Sequence, residues 1–192
     1  MNTRPIADPP NVAPPASGAV SCAAAAGKYL TFALGAEEYG LGILTVREII
    51  GYMDVTAVPR TPPHVRGVIN LRGQVIPVVD LRARFSMPPA ARTDQTCIVV
   101  AEVGGGAGGR AVNTGVIVDR VCEVLTIPAD RIEDAPSFGA AAADAAFVRG
   151  VAKVGDRVKI LLDIDRVLAK DDVEWSPARV DAPAAEATAV AA

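Results

Sequence analysis

Between residues 28 and 170 the apolar positions fall in short runs separated by Gly, Pro, Asn and Asp, the spacing of β-strands and turns. Residues 29–34 form one such run, and Gly35-Ala36-Glu37-Glu38 turns the chain back into Tyr39-Gly40-Leu41. Residues 43–52 carry two signals. Ile43, Val46, Ile49 and Ile50 fit a helical period, while the β-branched content favours a strand, so a helical turn leading into a strand satisfies both. Pro59, Pro62 and Pro63 interrupt any ladder, and Thr61-Pro62-Pro63 can start one helical turn before Val65. Residues 68–71 and 75–79 then flank Arg72-Gly73-Gln74 as a hairpin, and Asp80 is placed to cap a short helix over 81–85. Residues 96–103 and 111–118 read as strands on either side of a Gly-rich loop at 104–109. Residues 158–162 read as a central apolar strand, and Asp163 opens a last short helix.

This pattern occurs twice. VRGVINLRGQVIPVVDLRARF at 65–85 aligns without a gap on VRGVAKVGDRVKILLDIDRVL at 148–168, an offset of 83. YGLGILTVREII at 39–50 is echoed by TGVIVDRVCEVL at 114–125, an offset of 75. The offsets differ because the connector is 14 residues long in the first copy (51–64) and 22 in the second (126–147). Such a repeat signals a repeated structural unit, here a tandem pair of small β modules, closer to small barrels than to a parallel α/β sheet. Positions kept in both copies are expected to be scaffold. Gly67 and Gly150 would serve close packing or a positive φ, and Asp80 and Asp163 would cap helices. Arg72 differs, because its mate is Gly155. A tight turn does not need arginine, which leaves an ion pair to the other module, a partner contact or a solvated hairpin charge. Glu48 returns as Glu123, so its charge alone does not single out one copy.

Composition narrows the function. The 192 residues allow one or two domains with a real core. Only 4% are aromatic, which leaves little for stacking on bases or sugars. The net charge of −3, with a pI near 5.2, argues against a general nucleic-acid or anionic-membrane surface. No apolar run approaches the roughly 20 residues of a membrane span. Residues 1–27 and 171–192 are rich in Ala and Pro without a sustained period and are expected to be disordered tails, though the alanines of 176–192 permit a short helix. Val20-Ser21-Cys22 faintly resembles a lipoprotein cleavage site, but prolines at 5, 9, 10, 14 and 15 spoil the segment before it. Three cysteines without Cys-x-x-Cys spacing fit a reducing compartment, so the protein is expected in the cytoplasm. Cys97 and Cys122 lie in apolar strand patterns and are expected to be buried thiols.

Candidate chemistry is sparse. The 104–109 loop is followed by a strand rather than a helix and has no Lys-Ser/Thr, so it reads as a hairpin and not a phosphate cradle. His64 is the only histidine and sits beside prolines, which supports neither a metal set nor a Cys/His dyad. No Gly-x-Ser-x-Gly elbow is present. Asp80 and Asp163 could be taken for an acid–base pair, but their equivalence under the repeat favours the same local task in each module. No catalytic residue, metal or cofactor is expected.

The run from Val65 to Gly73, then Val75 to Arg82, resembles the CheW family of chemotaxis coupling proteins. So do the Phe32-x-Leu34-Gly35-x-Glu37-Glu38-Tyr39-Gly40 entry, the Val46-x-Glu48-Ile49 step and the closing Leu161-Leu162-Asp163-Ile164. The similarity covers about residues 28–170. It implies a mainly β fold of two SH3-like five-stranded barrels, with short helices, intertwined around a shared core. It implies an adaptor without catalytic activity or cofactor that joins the regulatory domain of the histidine kinase CheA to the cytoplasmic tips of methyl-accepting chemoreceptors. On the matching motifs, Val46, Glu48 and Arg72 fall at receptor-binding positions near the groove between the modules. Gly67, Cys97, Gly115 and Val124 fall at positions linked to receptor or kinase coupling. Cys97 replaces a usual β-branched residue, and the Gly-rich loop is longer than the family's; both departures leave the mechanism intact. The resemblance implies a receptor helix laid on an apolar groove with charged rims, and one barrel paired with a similar barrel of CheA. Each contact would be modest alone and strengthened by multivalency in an array. A coupling protein of a non-flagellar chemosensory pathway, or a CheV-like adaptor without its receiver domain, would share these motifs.

Overall fold

The computed structural model describes residues 26–104, 111–135, 147–155 and 157–169. Gly27, placed in the N-terminal tail by the sequence, begins the first strand; residues 1–25, the expected C-terminal tail and residues 105–109 of the Gly-rich loop lie outside the described residues. The chain runs β1 (Gly27–Leu34), β2 (Glu37–Gly42), a 3-10 turn (Ile43–Thr45), β3 (Val46–Gly51), β4 (Val65–Leu71), β5 (Gln74–Asp80) and α1 (Leu81–Arg84). It continues as β6 (Cys97–Val103), β7 (Val112–Val118), β8 (Arg120–Ile127), β9 (Ile132–Glu133), β10 (Val148–Val154), β11 (Arg157–Leu162) and α2 (Ile164–Ala169).

These strands form two sheets, ordered β3-β6-β7-β5-β4 and β8-β1-β2-β11-β10-β9. The fold is mainly β, as the strand spacing predicts. Neither sheet belongs to one sequence copy. The chain crosses between sheets at residues 43–45, after β2, and again at Asp119, after β7. Each sheet therefore combines two strands from one half with the remainder of the other. Two parallel joints hold the halves together: Leu161 of β11 lies beside Gly40 of β2, and Val78 of β5 beside Gly115 of β7. These two pairings are images of each other under the 83- and 75-residue offsets.

Each sheet curls until its edges meet. The segment leaving β3 reaches the opposite edge, where Thr56 and Val68 exchange two backbone hydrogen bonds of 2.9 Å. The segment leaving β8 does the same through β9, against Val151 and Ala152 of β10. The second bridge is a two-residue strand, so the second barrel has six strands where the resemblance implies five.

Alternation along the central strands divides the buried side chains among three cores. Ile69, Ile76, Val78, Ile98 and Val100 fill the first barrel, and Tyr29, Ile127, Ala152 and Leu161 fill the second. Leu30, Phe32, Leu34, Val79, Val99, Ala101, Val116 and Leu162 form the largest core, between the barrels. There Phe32, Tyr39, Phe85 and Phe147 stack in a row, with ring centroids 5.8, 5.7 and 5.0 Å apart.

Local expectations also meet the structure. Residues 43–51 are a 3-10 turn followed by a strand, as their double period predicts. The Asp80 carboxylate accepts from the N–H groups of Arg82 and Ala83, capping α1, and Asp163 accepts from Arg166 N at 3.3 Å. The prolines at 62 and 63 make a single turn before β4, closed by Val65 N–H on Pro62 O. The expectation of two buried thiols holds for Cys97 alone; Cys122 is exposed, because it is the unpaired bulge residue of edge strand β8.

Candidate partner-binding surfaces

The expected site residues divide by their place in the sheets. β3 is an edge strand with a bulge between Val46 and Glu48. Val46 lies opposite Ala101 and packs on the shared core, whereas Glu48 lies opposite Val100, whose side chain fills the first barrel. Cross-strand partners share a face, so the bulge turns Val46 and Glu48 to opposite faces. Ile49, opposite Val99, returns to the face of Val46 and is 46% exposed. Val46 and Ile49 thus make an apolar rim along the groove between the barrels.

Glu48 meets Arg72 on the other face, with Nη2 and Oε2 3.0 Å apart. The ion-pair partner of Arg72 is therefore in its own sheet and not in the other module, one of the alternatives the sequence left open. Arg72 stands at φ 53 and is 81% exposed at its side chain. Its mate Gly155 has φ 60. The turn demands a left-handed residue in both copies, and the first copy meets that demand with an arginine at a steric cost of about 1–2 kcal/mol. Asn70 Oδ1 accepts from Gly73 N–H at 2.9 Å and steadies the turn.

The second copy repeats the rim without the ion pair. β8 bulges at Cys122, Val121 lies opposite Phe32 and packs on the shared core, and Val124 lies opposite Leu30 and is 51% exposed. Val121 and Val124 are thus the counterparts of Val46 and Ile49 on the other edge of the groove. Glu123 is exposed, and no ion pair to it occurs among the described residues. Ile49 and Val121 were not among the expected site residues, yet the offset of 75 from Val124 and Val46 points directly to them.

The remaining expected positions are scaffold in this structure. Gly67 has φ 138, and a Cβ there would lie 2.0 Å from Thr56 O, at the bridge that closes the first barrel. A Cβ on Gly115 would lie 2.8 Å from Ile98 Cγ2, inside the same barrel. Cys97 is buried between β3 and β7, and burial raises its thiol pKa. The two glycines carry no side chain, and that of Cys97 is buried.

Charge locks one of the two crossings. Arg82 of α1 donates to both oxygens of Asp119 at 2.8 and 2.7 Å, and Gly35 N–H donates to Oδ2 at 2.7 Å. The Arg82 hydrogen bonds hold the Asp119 carboxyl below its usual pKa and raise that of the guanidinium. At the equivalent position of the other crossing, Leu44 is 92% exposed. That crossing sits beside the Val46–Ile49 rim and lengthens its apolar surface. Among the described residues no group of His, Cys, Asp and Glu is arranged to hold a metal ion, and no helix is long and apolar enough to cross a membrane.

Comparison with known proteins fits this geometry. Residues 28–172 match the CheW-like domain family. The chain is 38% identical to the chemotaxis protein CheW of Klebsiella aerogenes, over 76% of this chain and 84% of that one. It is 33% identical to CheW of Bacillus subtilis, over 75% and 88%. The crystal structure of the scaffolding protein TtCheW from Thermoanaerobacter tengcongensis superposes with a TM-score of 0.65 at 35% identity, covering 74% of this chain and 92% of that one. On its motifs, its paired sheets and these relatives, the chain belongs to the CheW family of chemotaxis coupling adaptors.

Proposed function

We propose that this protein links the cytoplasmic tips of methyl-accepting chemoreceptors to the regulatory domain of the histidine kinase CheA. It does so as a cytoplasmic scaffold recruited to membrane-associated arrays, with no chemistry of its own. The observation that carries this reading is the pair of apolar rims on edge strands β3 and β8, one supplemented by Glu48–Arg72 and the other not. Two related but unequal surfaces suit an adaptor that must hold two different partners.

In this reading Val46, Glu48 and Arg72 belong to the receptor surface, and the exposed Leu44 and Ile49 extend its apolar part. A receptor helix would lay an apolar face along the rim while its charges engage the ion pair at the strand's far face. Val124 contributes to coupling as a contact on the second rim. Gly67 and Gly115 contribute by keeping the first barrel closed, and Cys97 by packing in the core between the barrels.

The test is co-sedimentation of the full chain with its kinase and with receptor fragments carrying the cytoplasmic tip, with kinase activity assayed in the same mixture. The wild type should bring both into the pellet and place kinase activity under receptor control. Glu48→Lys should weaken receptor binding about tenfold or more while the melting temperature stays within a few degrees, since Glu48 is only partly buried and its ion-pair partner Arg72 is exposed. Unchanged receptor affinity in a folded Glu48→Lys protein removes Glu48 from the surface, and failure to recruit either partner removes the reading as a whole.

A further inference from the structure

The two parallel joints that knit the halves together are nearly interchangeable. At β2–β11, Gly40 faces Leu161 and Leu41 faces Leu162; at β5–β7, Gly115 faces Val78 and Val116 faces Val79. All eight residues are apolar or glycine, so hydrophobic pattern alone lets β2 accept β5 as readily as β11. That exchange would draw all but one strand of each sheet from a single half of the chain, with β8 still paired to β1 and β3 to β6. Nothing in the repeated apolar positions forbids it.

The joints differ at two levels: Tyr39 lies beside Ile160, where the repeat mates are Thr114 and Pro77, and beyond it a charged pair stands where the mates are uncharged. Glu38 of β2 lies beside Lys159 of β11. Their repeat mates are Asn113 of β7 and Ile76 of β5. Lys159 is buried and donates to Glu38 Oε2, while Arg157 of the same strand donates to Oε1 at 2.6 Å. The mate of Arg157 is Gln74, so β11 brings two cations to Glu38 and β5 would bring none. Space has been adjusted to match. The cross-strand partner of Ile76 is Ile69, and the partner of Lys159 is Ala152, whose small side chain leaves room for the lysine stem inside the second barrel.

We propose that the buried Glu38–Lys159 pair selects β11 over β5 as the neighbour of β2, and so enforces the exchange of strands between the two halves. In the native pairing both charges are satisfied. In the alternative, Glu38 would be buried against Ile76 and Lys159 against Asn113, each without its counter-charge. A buried ion pair adds little net stability over an apolar replacement, but it discriminates strongly between partners of similar shape.

Two double variants test this by NMR of the full chain. Glu38→Asn with Lys159→Ile gives these two positions the residues of their repeat mates and removes the discrimination. Glu38→Lys with Lys159→Glu keeps the pair with its charges reversed. In wild type and in the reversed variant, Gly40 should show nuclear Overhauser contacts to Leu161 and none to Val78. The neutral variant should fold and show a second set of β2 amide resonances, about a tenth of the population or more, with contacts from Gly40 to Val78. A neutral variant with one set of resonances and only the Gly40–Leu161 contact overturns the proposal. So does a neutral variant that does not fold, because the pair would then supply stability rather than choice.

Discussion

Gly67 and Arg72 show how a single position is decided by backbone as much as by side chain. A methyl group at 67 collides with Thr56 O and must also accept φ 138. Gly67→Ala should therefore destabilise the protein by more than ~2 kcal/mol, measured by urea unfolding. Loss of coupling in that variant would follow from the opened barrel rather than from a lost contact. Arg72 sits in a conformation that glycine adopts freely, and its ion pair with Glu48 is largely in water. Relief of roughly 1–2 kcal/mol of strain offsets a surface pair worth about 0.2–1 kcal/mol. Arg72→Gly should remain within ~1 kcal/mol of wild type in stability while losing receptor binding, which separates a contact from a structural role. The bulge shared by 67 and 150 was legible from the repeat, whereas the positive φ expected of both is found at Gly67 and not at Gly150. The pairing of 72 with 48 was not legible, because β3 and the β4–β5 turn are brought together only by closure of the barrel.

Among the elements, the hairpin-plus-helix unit is the most autonomous, and local rules predict it best. Val65, the turn at 72–73, the β5 run and the Asp80 cap lie within 21 residues, and each follows from turn and capping chemistry. Asp80 also accepts two hydrogen bonds from Arg66, at 3.0 and 2.7 Å, so its carboxylate joins the start of β4 to the start of α1. Asp80→Ala should cost about 1–2 kcal/mol by removing the cap, and Asp80→Asn less, since its amide oxygen still caps. Thermal unfolding of the two variants side by side checks this; equal losses would assign the effect to Arg66 instead. The edge strands were harder to read. β3 and β8 keep only one face partly covered and carry bulges, so their alternation does not reveal which side chain turns to the groove. The expectation of a buried Cys122 failed for this reason.

In the molecule as a whole, the two carboxylates at the seams respond to acid together. Glu38 is held below its usual 4.5 chiefly by the hydrogen bond from Lys159, and Asp119 below its usual 3.8 chiefly by that from Arg82. Both are depressed in the folded state, so their stabilisation is fully present above the unfolded values. It is lost as pH falls through the lower folded values. Urea midpoints should stay level down to about pH 5 and decline below it. The combined Glu38→Gln, Asp119→Asn protein should start less stable and show a shallower decline. A slope as steep as that of wild type would place the acid-sensitive groups elsewhere.

The repeat, the strand positions, the caps and the family follow from residue order alone, because each depends on neighbours a few residues apart or on a pattern matched along the chain. The exchange of strands between halves, the opposite facing of Val46 and Glu48, the two groove rims and the Glu38–Lys159 pair depend on contacts between segments far apart in sequence. Glu38 and Lys159 are 121 residues apart, in strands joined by a parallel ladder. A duplicated apolar pattern permits either half to supply that strand. Only the packed structure shows which one does, because burial is what turns a pair of ordinary charged residues into a choice between partners.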